Sequence, residues 1–346
     1  MTELFVTNFN PNFTGVSATA AGVLRAQAAM MDAALVGHPL PGCPAPMTKR
    51  AAVRATKQPK NRPFAIWHVR RNPEMRTAIW ARDVLKKPMK VVFTSSAQRL
   101  HSAYPRWLIA RMDAVIATTE AAADYVPNVR AVVPHGVDVD RFAPAPDRAV
   151  AWKALEFGGA RGIATVGRVR PEKGTDVFVD AMIAALPDLP DVVALIVGNT
   201  AREHQAFERR LKEKIAAADL TDRILFTGEV ASEKLPDLMR AISLLVALPR
   251  YEGYGMTPLE AMSAATPFVG SDAGYYHAFS SQGRTGVVVA QEDAAAAASK
   301  VRAILSDPGR LENMGQAARD VAVSHYSVAQ EAAADIAVYE DLWAGR

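Results

Sequence analysis

Short apolar runs, most of them ending at or near a glycine, recur through the second half of the chain, and helical patterns separate them. These runs span residues 161–167, 192–198, 224–230, 243–249, 266–272 and 285–290. Short buried strands that alternate with helices are typical of parallel sheets with both faces covered. The second half is therefore predicted to be a doubly wound α/β domain, with its ligand beyond the carboxyl ends of the strands.

The first half follows the same plan less regularly. Apolar runs that fit buried strands span residues 4–9, 63–69, 90–96, 113–119 and 131–138. A helix is predicted after the first run, to about Leu35. Residues 37–62, rich in proline and basic residues, are expected to form a long loop with limited regular structure. The segment RFAPAPDRA, 141–149, resembles a linker.

These patterns define two domains. An N-terminal domain is predicted over residues 1–146 and a C-terminal domain over residues 147–327. A final helix of about 328–346 carries an aromatic-tipped apolar face, and we expect it to return to the N-terminal domain.

Composition excludes several classes of protein. The single cysteine, Cys43, excludes a disulfide framework and a cysteine-based zinc site. No apolar run follows a basic start, and no window reaches the roughly 18 apolar residues of a membrane span. We therefore expect a cytoplasmic protein.

Charge is divided unevenly along the chain. Residues 1–148 carry 20 Lys and Arg against 10 Asp and Glu, a net of +10, whereas residues 149–346 carry 20 against 26, a net of −6. A basic half of this kind is either a solvated face or a surface that attracts anionic lipid or a phosphorylated glycolipid. Nucleic acid is the least favoured partner, because the aromatic and glycine interleaving that stacks bases is missing.

The segment RYEGYGMTPLEAM, 250–262, must contain a strand end, a turn and a helix start. One interpretation is purely structural. Thr257 would be the helix N-cap and Pro258 the first helical residue, and Glu260 would complete a capping box by bonding back to the cap.

The same segment also has the residues of a ligand site. Gly253 and Gly255 allow backbone N–H groups to approach a ligand closely, and the helix that follows presents its positive end. Glu252 could accept hydrogen bonds from sugar hydroxyls, and Glu260 could bind a ribose diol.

The turn GRVRPEKG places Arg168 and Lys173 between a strand end and a helix start. Two cations beside the unpaired N–H groups of a helix N-terminus suit a diphosphate, although exposed loop cations are the alternative. No GxGxxG or Walker A motif is present, which argues against nicotinamide and P-loop nucleotide sites.

Taken together, these motifs carry a family resemblance. PHGVD at 134–138, GRVRPEKG, EGYGMTPLE and TPFVGSDAG occur in that order, and they resemble the donor domain of the retaining family-4 glycosyltransferases of GT-B fold. In the first half, TGVSATAAGVL, IWHVRRNPEM and FTSSAQRLHS are similar to bacterial lipopolysaccharide-core mannosyltransferases. The resemblance implies two Rossmann-like doubly wound domains that face each other across a cleft.

The resemblance also implies roles for individual residues. Arg168 and Lys173 would bind the donor diphosphate and stabilise the leaving group, Glu252 would hold the donor sugar, and Glu260 would bind the ribose. The other implied donor-binding residues are Gly15, Gly167, Gly253, Tyr254, Gly255, Met256 and Thr257.

One departure concerns a histidine that many relatives have at the end of the strand equivalent to KVVFTSS. In the family this histidine contacts the transferred sugar, and here Ser95 and Ser96 occupy its place. His68, at the end of the preceding strand, is predicted to be the catalytic substitute, and His135 is the alternative. A histidine at a strand end can equally be a structural residue.

Arg70 and Arg71 are predicted to bind an anionic acceptor, with solvated loop cations as the alternative. A literal D-x-D, Asp138 to Asp140, belongs to the PHGVD turn and has no neighbouring histidine other than that of the motif. Two carboxylates alone make a weak metal site, so we expect no metal requirement.

The sequence thus predicts a retaining hexosyltransferase without a cofactor, with mannose from GDP-mannose favoured and a lipopolysaccharide inner-core or similar anionic glycolipid as acceptor. Peripheral contact with the inner face of the cytoplasmic membrane is expected. The alternatives are a UDP-hexose-dependent transferase, a nucleotide-sugar epimerase, a phosphorylase of the same fold and a non-catalytic polyanion- or glycolipid-binding protein.

Overall fold

The computed structural model describes residues 2–12 and 14–346, and the chain divides into two compact units. Unit 1 extends to Gly136 and resumes at Tyr326, and unit 2 comprises Val137–His325. The sequence interpretation placed these divisions after residues 146 and 327. The long C-terminal helix belongs to unit 1.

Strands and helices alternate along most of the chain. The strands are β1 (Leu4–Asn8), β2 (Ala33–Gly37), β3 (Ala65–Val69), β4 (Met89–Ser95), β5 (Ala114–Ala117), β6 (Val129–Val132), β7 (Arg161–Val166), β8 (Val192–Val197), β9 (Ile224–Gly228), β10 (Leu244–Ala247), β11 (Phe268–Ser271) and β12 (Gly286–Val289). The α-helices are α1 (Gly15–Ala28), α2 (Lys49–Ala55), α3 (Asn72–Ile79), α4 (Ala103–Ile109), α5 (Glu120–Ala123), α6 (Arg148–Lys153), α7 (Thr175–Ala185), α8 (Gln205–Ala217), α9 (Leu235–Ala241), α10 (Met256–Ser263), α11 (Tyr276–Ser280), α12 (Ala294–Leu305), α13 (Pro308–His325) and α14 (Val328–Trp343).

Unit 1 is built on a six-stranded sheet with the strand order β2-β1-β3-β4-β5-β6, and all its pairings are parallel. On one face Trp67 packs with Met75, Leu108 and Ile109, so that α3 and α4 cover that side. On the other face, residues of α1 and α14 pack against β1 and β2. Both faces of the sheet are buried, as its continuous apolar strands predict.

Helix α14 spans the predicted residues 328–343 and packs on unit 1. Ser327 is its N-cap and forms a capping box with Gln330. Tyr339 and Trp343, from the predicted aromatic face, lie in the same core cluster as Leu24. The prediction that this helix returns to the N-terminal domain is confirmed.

Unit 2 contains a second parallel sheet of six strands, in the order β12-β11-β10-β7-β8-β9. All six strands predicted for the second half are present, and the predicted doubly wound α/β class is confirmed. Gly167 and Gly198 follow β7 and β8 with φ angles of 154° and 150°. These glycines let the chain turn away from the carboxyl edge of the sheet.

The sequence interpretation of residues 29–35 was wrong. Helix α1 ends at Ala28, and the AALVG segment forms the edge strand β2 beside β1 instead of continuing the helix. Thr48 caps α2 by accepting a hydrogen bond from the Ala51 N–H at 3.2 Å, inside the predicted loop. The alanine-rich sequence keeps helical propensity through β2, and pairing with β1 overrides it.

The strand predicted at 131–138 was also misplaced, because β6 ends at Val132. Pro134 lacks the N–H that a continuing ladder needs. In the described ranges 2–12 and 14–346, no helix is long and apolar enough to cross a membrane.

Candidate functional site

In unit 2, the sequence-predicted residues Arg168, Lys173 and Glu252 meet at the carboxyl edge of the sheet. The Lys173 Nζ atom lies 2.6 Å from the Glu252 Oε2 atom. The exposed Arg168 guanidinium has no hydrogen bond or ion pair with any residue that the structure describes. A recess between β7 and β10 brings these groups together, and its lining is Thr165, Val166, Gly167, Arg168, Lys173, Thr175, Ala247, Pro249, Glu252, Thr257 and Tyr276.

Glycine fixes the start of α7 in this recess. Gly174 has a φ angle of 66°, and a Cβ atom there would collide with the carbonyl oxygen of Leu248. The turn after β7 can therefore press directly against the end of β10. This close approach lets Lys173 reach Glu252 from a different loop.

Arg250 makes a second connection between the turn after β7 and the loop after β10. Its guanidinium makes two hydrogen bonds of 2.9 Å to the Asp176 carboxylate, in the first turn of α7. Its backbone N–H also donates to the Glu172 carbonyl oxygen at 3.0 Å. Paired bonds between a guanidinium and a carboxylate fix geometry well, so Arg250 positions the segment that carries Glu252.

Both oxygens of the Glu252 carboxylate accept hydrogen bonds. Oε1 accepts from the Gly253 N–H at 3.0 Å, and Oε2 accepts from Lys173. The side chains of Lys173 and Glu252 remain 28% and 19% exposed. The pair is thus preformed and still reachable by a ligand.

Gly255 allows an aromatic side chain to fill the space beside the loop. Its φ angle is 104°, and a Cβ atom there would overlap the ring of Tyr276. The neighbouring Tyr254 ring stacks on Tyr275 with centroids 5.5 Å apart and meets Phe279 edge-on. Burial, together with the nearby Glu252 charge, raises the pKa of Tyr276 well above its ordinary value, so its hydroxyl stays protonated.

The predicted capping box at Thr257 and Glu260 is wrong. Helix α10 begins at Met256, its N-cap is the left-handed Gly255, and no side chain caps it. Since the helix starts two residues before the predicted position, Glu260 lies beyond the third helical residue. Thr257 instead lines the recess.

The Glu260 carboxyl makes no hydrogen bond to any part of the chain that the structure describes, although it is only partly exposed. Burial raises its pKa from 4.5 to about 7, and the Arg141 charge opposes part of that rise. A carboxylate that loses water without gaining partners is destabilised. Such a group is suited to accept hydrogen bonds from an incoming ligand.

His68 is in the core of unit 1. It has no exposed surface, and its ring nitrogens lie 2.6 Å from the Tyr339 hydroxyl and 2.6 Å from the Thr94 hydroxyl. Burial, with nearby Arg70 and His135, lowers its pKa well below the ordinary value, so the ring is neutral. This arrangement fits a structural histidine better than the predicted sugar contact.

Arg70 and Arg71 have opposite surroundings. The Arg71 guanidinium donates to Asn8, Glu74 and Ser17 at 3.0, 3.1 and 2.9 Å, which ties it into the unit 1 framework. Arg70 is 8% exposed, and none of its three guanidinium nitrogens has a hydrogen-bond partner among residues 2–12 and 14–346. A buried guanidinium without hydrogen bonds is costly, so Arg70 is the candidate for an anionic ligand.

His135 belongs to a hydrogen-bonded chain that the sequence did not reveal. Its Nδ1 atom lies 2.8 Å from the Glu331 Oε1 atom, and its Nε2 atom lies 3.0 Å from the Ser96 hydroxyl. Glu331 Oε2 also accepts the Gly136 N–H at 2.7 Å. If Nδ1–H donates to the carboxylate, Nε2 must accept from Ser96, which leaves the Ser96 oxygen as an acceptor toward a ligand.

Helix α14 supplies polar residues that sequence reasoning missed. Asp335 is 1% exposed, with Oδ2 3.8 Å from the His68 Nδ1 atom, and Tyr339 bonds to the same ring nitrogen. Burial, with the like charge of Glu331, raises the pKa of Asp335 well above its ordinary value. Residues 331, 335 and 339 recur at a spacing of four, and this spacing was the available signal that one helix face carries them.

Two remaining predictions lie at turns. Gly15 is the first residue of α1, exposed and with open space where a Cβ atom would be. Asp138 Oδ1 accepts the Arg141 N–H at 3.1 Å, so this D-x-D carboxylate stabilises its own turn. Within the described ranges, no three His, Cys, Asp or Glu side chains form a metal-binding cluster.

A larger cavity of about 800 Å³ lies at the opposite edge of the unit 2 sheet, beside Arg148 and Arg161. The Arg148 donors are occupied by the Thr266 hydroxyl and by backbone carbonyl oxygens at the ends of α9 and α10. Burial lowers its pKa to about 10. Ligands of parallel sheets bind at the carboxyl ends, so we assign the site to the recess containing Lys173.

Comparisons with known proteins cover the whole chain. The family described as glycosyl transferases group 1 matches residues 149–321. The lipopolysaccharide core biosynthesis mannosyltransferase LpsB of Rhizobium meliloti is 40% identical over 344 residues, which are 98% of this chain and 97% of that protein. LpcC of Rhizobium leguminosarum bv. viciae, a lipopolysaccharide core biosynthesis mannosyltransferase, is 38% identical over 98% and 96%.

A solved structure shares the fold along nearly the full length. Anabaena HepE in complex with UDP and glucose has a TM-score of 0.82, covers 99% of this chain and 100% of its own, and is 15% identical. At that identity the likeness concerns the two-domain fold alone.

Proposed function

Because the chain belongs to the group 1 glycosyl transferases, we propose that it moves mannose from GDP-mannose to a lipopolysaccharide inner-core glycolipid, with retention at the anomeric carbon. Hexosyl transfer follows from the family and from full-length relatives. The choice of mannose and of acceptor rests on the similarity to LpsB and LpcC, which are lipopolysaccharide core biosynthesis mannosyltransferases.

The preformed Lys173–Glu252 pair supports the donor site best, together with the neighbouring Arg168, whose guanidinium has no partner in the described part of the chain. In hexosyl transfer the bond between the anomeric carbon and the diphosphate oxygen breaks, and negative charge develops on the diphosphate. Arg168 and Lys173 would stabilise that charge, together with the N–H groups at the start of α7. The two side-chain cations supply positive charge at the diphosphate, and on this ground we propose transfer without a metal ion or cofactor.

Glu252 and the loop from Gly253 to Thr257 would hold the sugar, and Gly167 would leave room for the diphosphate beside β7. The Glu252 carboxylate can exchange its bond to Lys173 for bonds to sugar hydroxyls when a diphosphate occupies Lys173. Glu260, whose carboxyl has no hydrogen-bond partner among residues 2–12 and 14–346, would accept the ribose hydroxyls. Gly15, the first residue of α1, stays a donor-binding prediction of the family resemblance.

Arg70 would bind an anionic group of the acceptor, since a phosphate or carboxylate provides the hydrogen-bond partners that its guanidinium lacks. The acceptor hydroxyl oxygen forms the new bond to the anomeric carbon, and its proton leaves with the nucleoside diphosphate. Because the proposed acceptor is a glycolipid, we place the protein at the inner face of the cytoplasmic membrane as a peripheral protein.

Calorimetric titration tests the donor first, with GDP, UDP, ADP and their hexose conjugates, without metal and then with magnesium. We expect GDP and GDP-mannose to bind without metal. A preference for UDP would replace the donor with a UDP-hexose, and binding of none would favour a non-catalytic glycolipid binder. Isomerised donor appearing without any acceptor would identify an epimerase instead.

A further inference from the structure

Unit 1 carries exposed aromatic and cationic residues on two segments, residues 72–87 after β3 and residues 99–111 after β4, which contain the helices α3 and α4. We define this aromatic-cationic surface by the apolar residues Trp80, Val84, Leu85, Leu100, Tyr104 and Trp107 and the basic residues Lys86, Lys87, Arg99, Arg106 and Arg111. The apolar members are 41–64% exposed. We propose that this surface docks the protein on an anionic phospholipid bilayer.

The two segments lie side by side because they cover the same face of the sheet. Met75 and Ala81, from the first segment, share one core cluster with Leu108 and Ile109 of α4. The Arg82 Nη1 atom donates to the Asp113 carboxylate at 2.5 Å, which links the end of the first segment to the residues after α4. The buried sides of the two segments are thus adjacent, and their exposed residues lie on the same side of the unit 1 sheet.

Helix α4 buries one face in the core of unit 1 and exposes aromatic side chains on the other face. Leu108 and Ile109 are buried, while Tyr104, Trp107 and Arg111 follow at a spacing of three and four on the outer side. The Tyr104 and Trp107 rings stack with centroids 6.3 Å apart, and the Arg111 guanidinium lies 3.8 Å from the Trp107 ring centroid. Exposure of these aromatic rings to water is unfavourable in free energy. The interfacial region of a lipid bilayer is a more favourable environment for them.

Charge selects an anionic bilayer as the partner. Residues 76–111 contain eight Lys and Arg residues and a single acidic residue, Asp83, so their net charge is +7. Asp83 is itself paired with Arg82, with its Oδ1 atom 2.7 Å from Nε. Long basic side chains around tryptophan and tyrosine match a negatively charged headgroup layer, since the rings enter the interface and the cations remain at the phosphates.

This inference deepens the proposed function, because a glycolipid acceptor requires access to a membrane, and it names the surface that provides it. The test measures the full chain's binding to phosphatidylcholine vesicles with and without about 30% phosphatidylglycerol, by flotation. We expect binding only to the anionic vesicles and a steep loss with salt. Binding to neither vesicle would overturn the proposal.

Matched variants locate the surface. Arg106→Gln with Arg111→Gln should weaken vesicle binding by about fivefold for each charge removed, and Tyr104→Ser with Trp107→Ser by about tenfold or more. The controls are Val150→Ser, whose residue is 64% exposed, and Arg209→Gln, both on exposed positions of unit 2. Equal loss in the controls, or none in the surface variants, would refute this surface.

Fluorescence gives an independent measurement. In Trp80→Phe, Trp107 is the single largely exposed tryptophan, because Trp67, Trp152 and Trp343 are buried. Its emission should shift to shorter wavelength on anionic vesicles, and brominated lipids should quench it. An unchanged spectrum with bound vesicles would contradict insertion of Trp107.

Donor titration on the same preparations separates this inference from the proposed function. Because the substitutions lie in unit 1 and the donor recess lies in unit 2, urea unfolding and circular dichroism, rather than donor binding, check that the surface variants are folded. Donor binding without vesicle binding refutes only the membrane surface, whereas vesicle binding without donor binding refutes only the proposed transferase site.

Discussion

Glu260→Gln separates a ligand-binding glutamate from a structural one, because the two roles predict opposite signs for stability. A capping glutamate would stabilise α10, and its replacement would lower the free energy of unfolding. In the structure Glu260 caps nothing, and burial raises the pKa of its carboxyl from 4.5 to about 7. The ionised form is therefore destabilising, and the glutamine variant should be the more stable protein at alkaline pH.

The magnitude follows from the pKa. A rise from 4.5 to about 7 corresponds to about 3 kcal/mol of penalty on the ionised carboxyl. Because the side chain keeps some exposure, solvent screening reduces this figure, and we expect about 1–2 kcal/mol. Below pH 4.5 the carboxyl is protonated in both the folded and the unfolded state, so the penalty is absent.

The dependence on pH has a definite direction. Between pH 4.5 and about 7 the folded protein keeps a proton that the unfolded chain has lost, so the wild-type free energy of unfolding falls as pH rises. Above pH 7 the penalty is complete. Glu260→Gln should match the wild type at pH 4 and exceed it by about 1–2 kcal/mol at pH 8.

Donor binding should show the converse dependence. An ionised Glu260 accepts ribose hydroxyls better than a protonated one, so wild-type affinity for GDP should rise from pH 6 to pH 8. The glutamine variant should lack this rise and bind about tenfold or more weakly at pH 8.

Urea unfolding at pH 4, 6 and 8, with calorimetry of GDP binding at the two higher values, measures both effects. Thr257→Ala is the matched control on the same helix, and it should change the free energy of unfolding by less than about 0.5 kcal/mol. A lower free energy of unfolding for Glu260→Gln at pH 8, with unchanged GDP affinity, would refute the assignment.

Four other substitutions test the remaining assignments. Lys173→Ala should lower kcat by about 10²- to 10³-fold. It should lower the free energy of unfolding by less than about 1 kcal/mol, because the ion pair with Glu252 is partly exposed. A near-normal kcat in a transferase assay would show that Lys173 does not bind the diphosphate. Arg70→Met should raise the KM for a phosphorylated acceptor without loss of stability, whereas Arg71→Met should lower the free energy of unfolding by about 2 kcal/mol, since it breaks bonds to buried Glu74. Equal stability of these two variants in urea would contradict their different surroundings. Gly255→Ala should lower the melting temperature and GDP affinity together, because a Cβ atom overlaps the Tyr276 ring at a φ angle of 104°; unchanged thermal unfolding would contradict this close packing.

The fold and the donor motif were predictable because the residues of each strand and of each motif are contiguous in the sequence. Each strand of unit 2 is a short apolar run, and parallel strands bring their carboxyl ends to one edge whatever the details of packing. The order of GRVRPEKG and EGYGMTPLE along the chain therefore sufficed to bring Lys173 and Glu252 to the same recess. The resemblance to lipopolysaccharide-core mannosyltransferases is confirmed by 40% identity over nearly the whole chain.

Prediction from local propensity failed where a segment could form either of two structures and tertiary contacts decided between them. The segment that forms β2 reads as helix, and its pairing with β1 decides otherwise. Thr257 and Pro258 form a good helix start, yet α10 begins at Met256, after a left-handed Gly255 that packs against the Tyr276 ring.

The sequence by itself determined the two doubly wound sheets and the loop that carries Glu252. Only the tertiary structure distinguished Arg70 from its neighbour Arg71, and only it joined His135 to Glu331, which lies 196 residues further along the chain. The physical reason is that strands and turns follow from the spacing of apolar residues and glycines along the chain, whereas the charge state and free energy of a polar side chain depend on which groups surround it after folding.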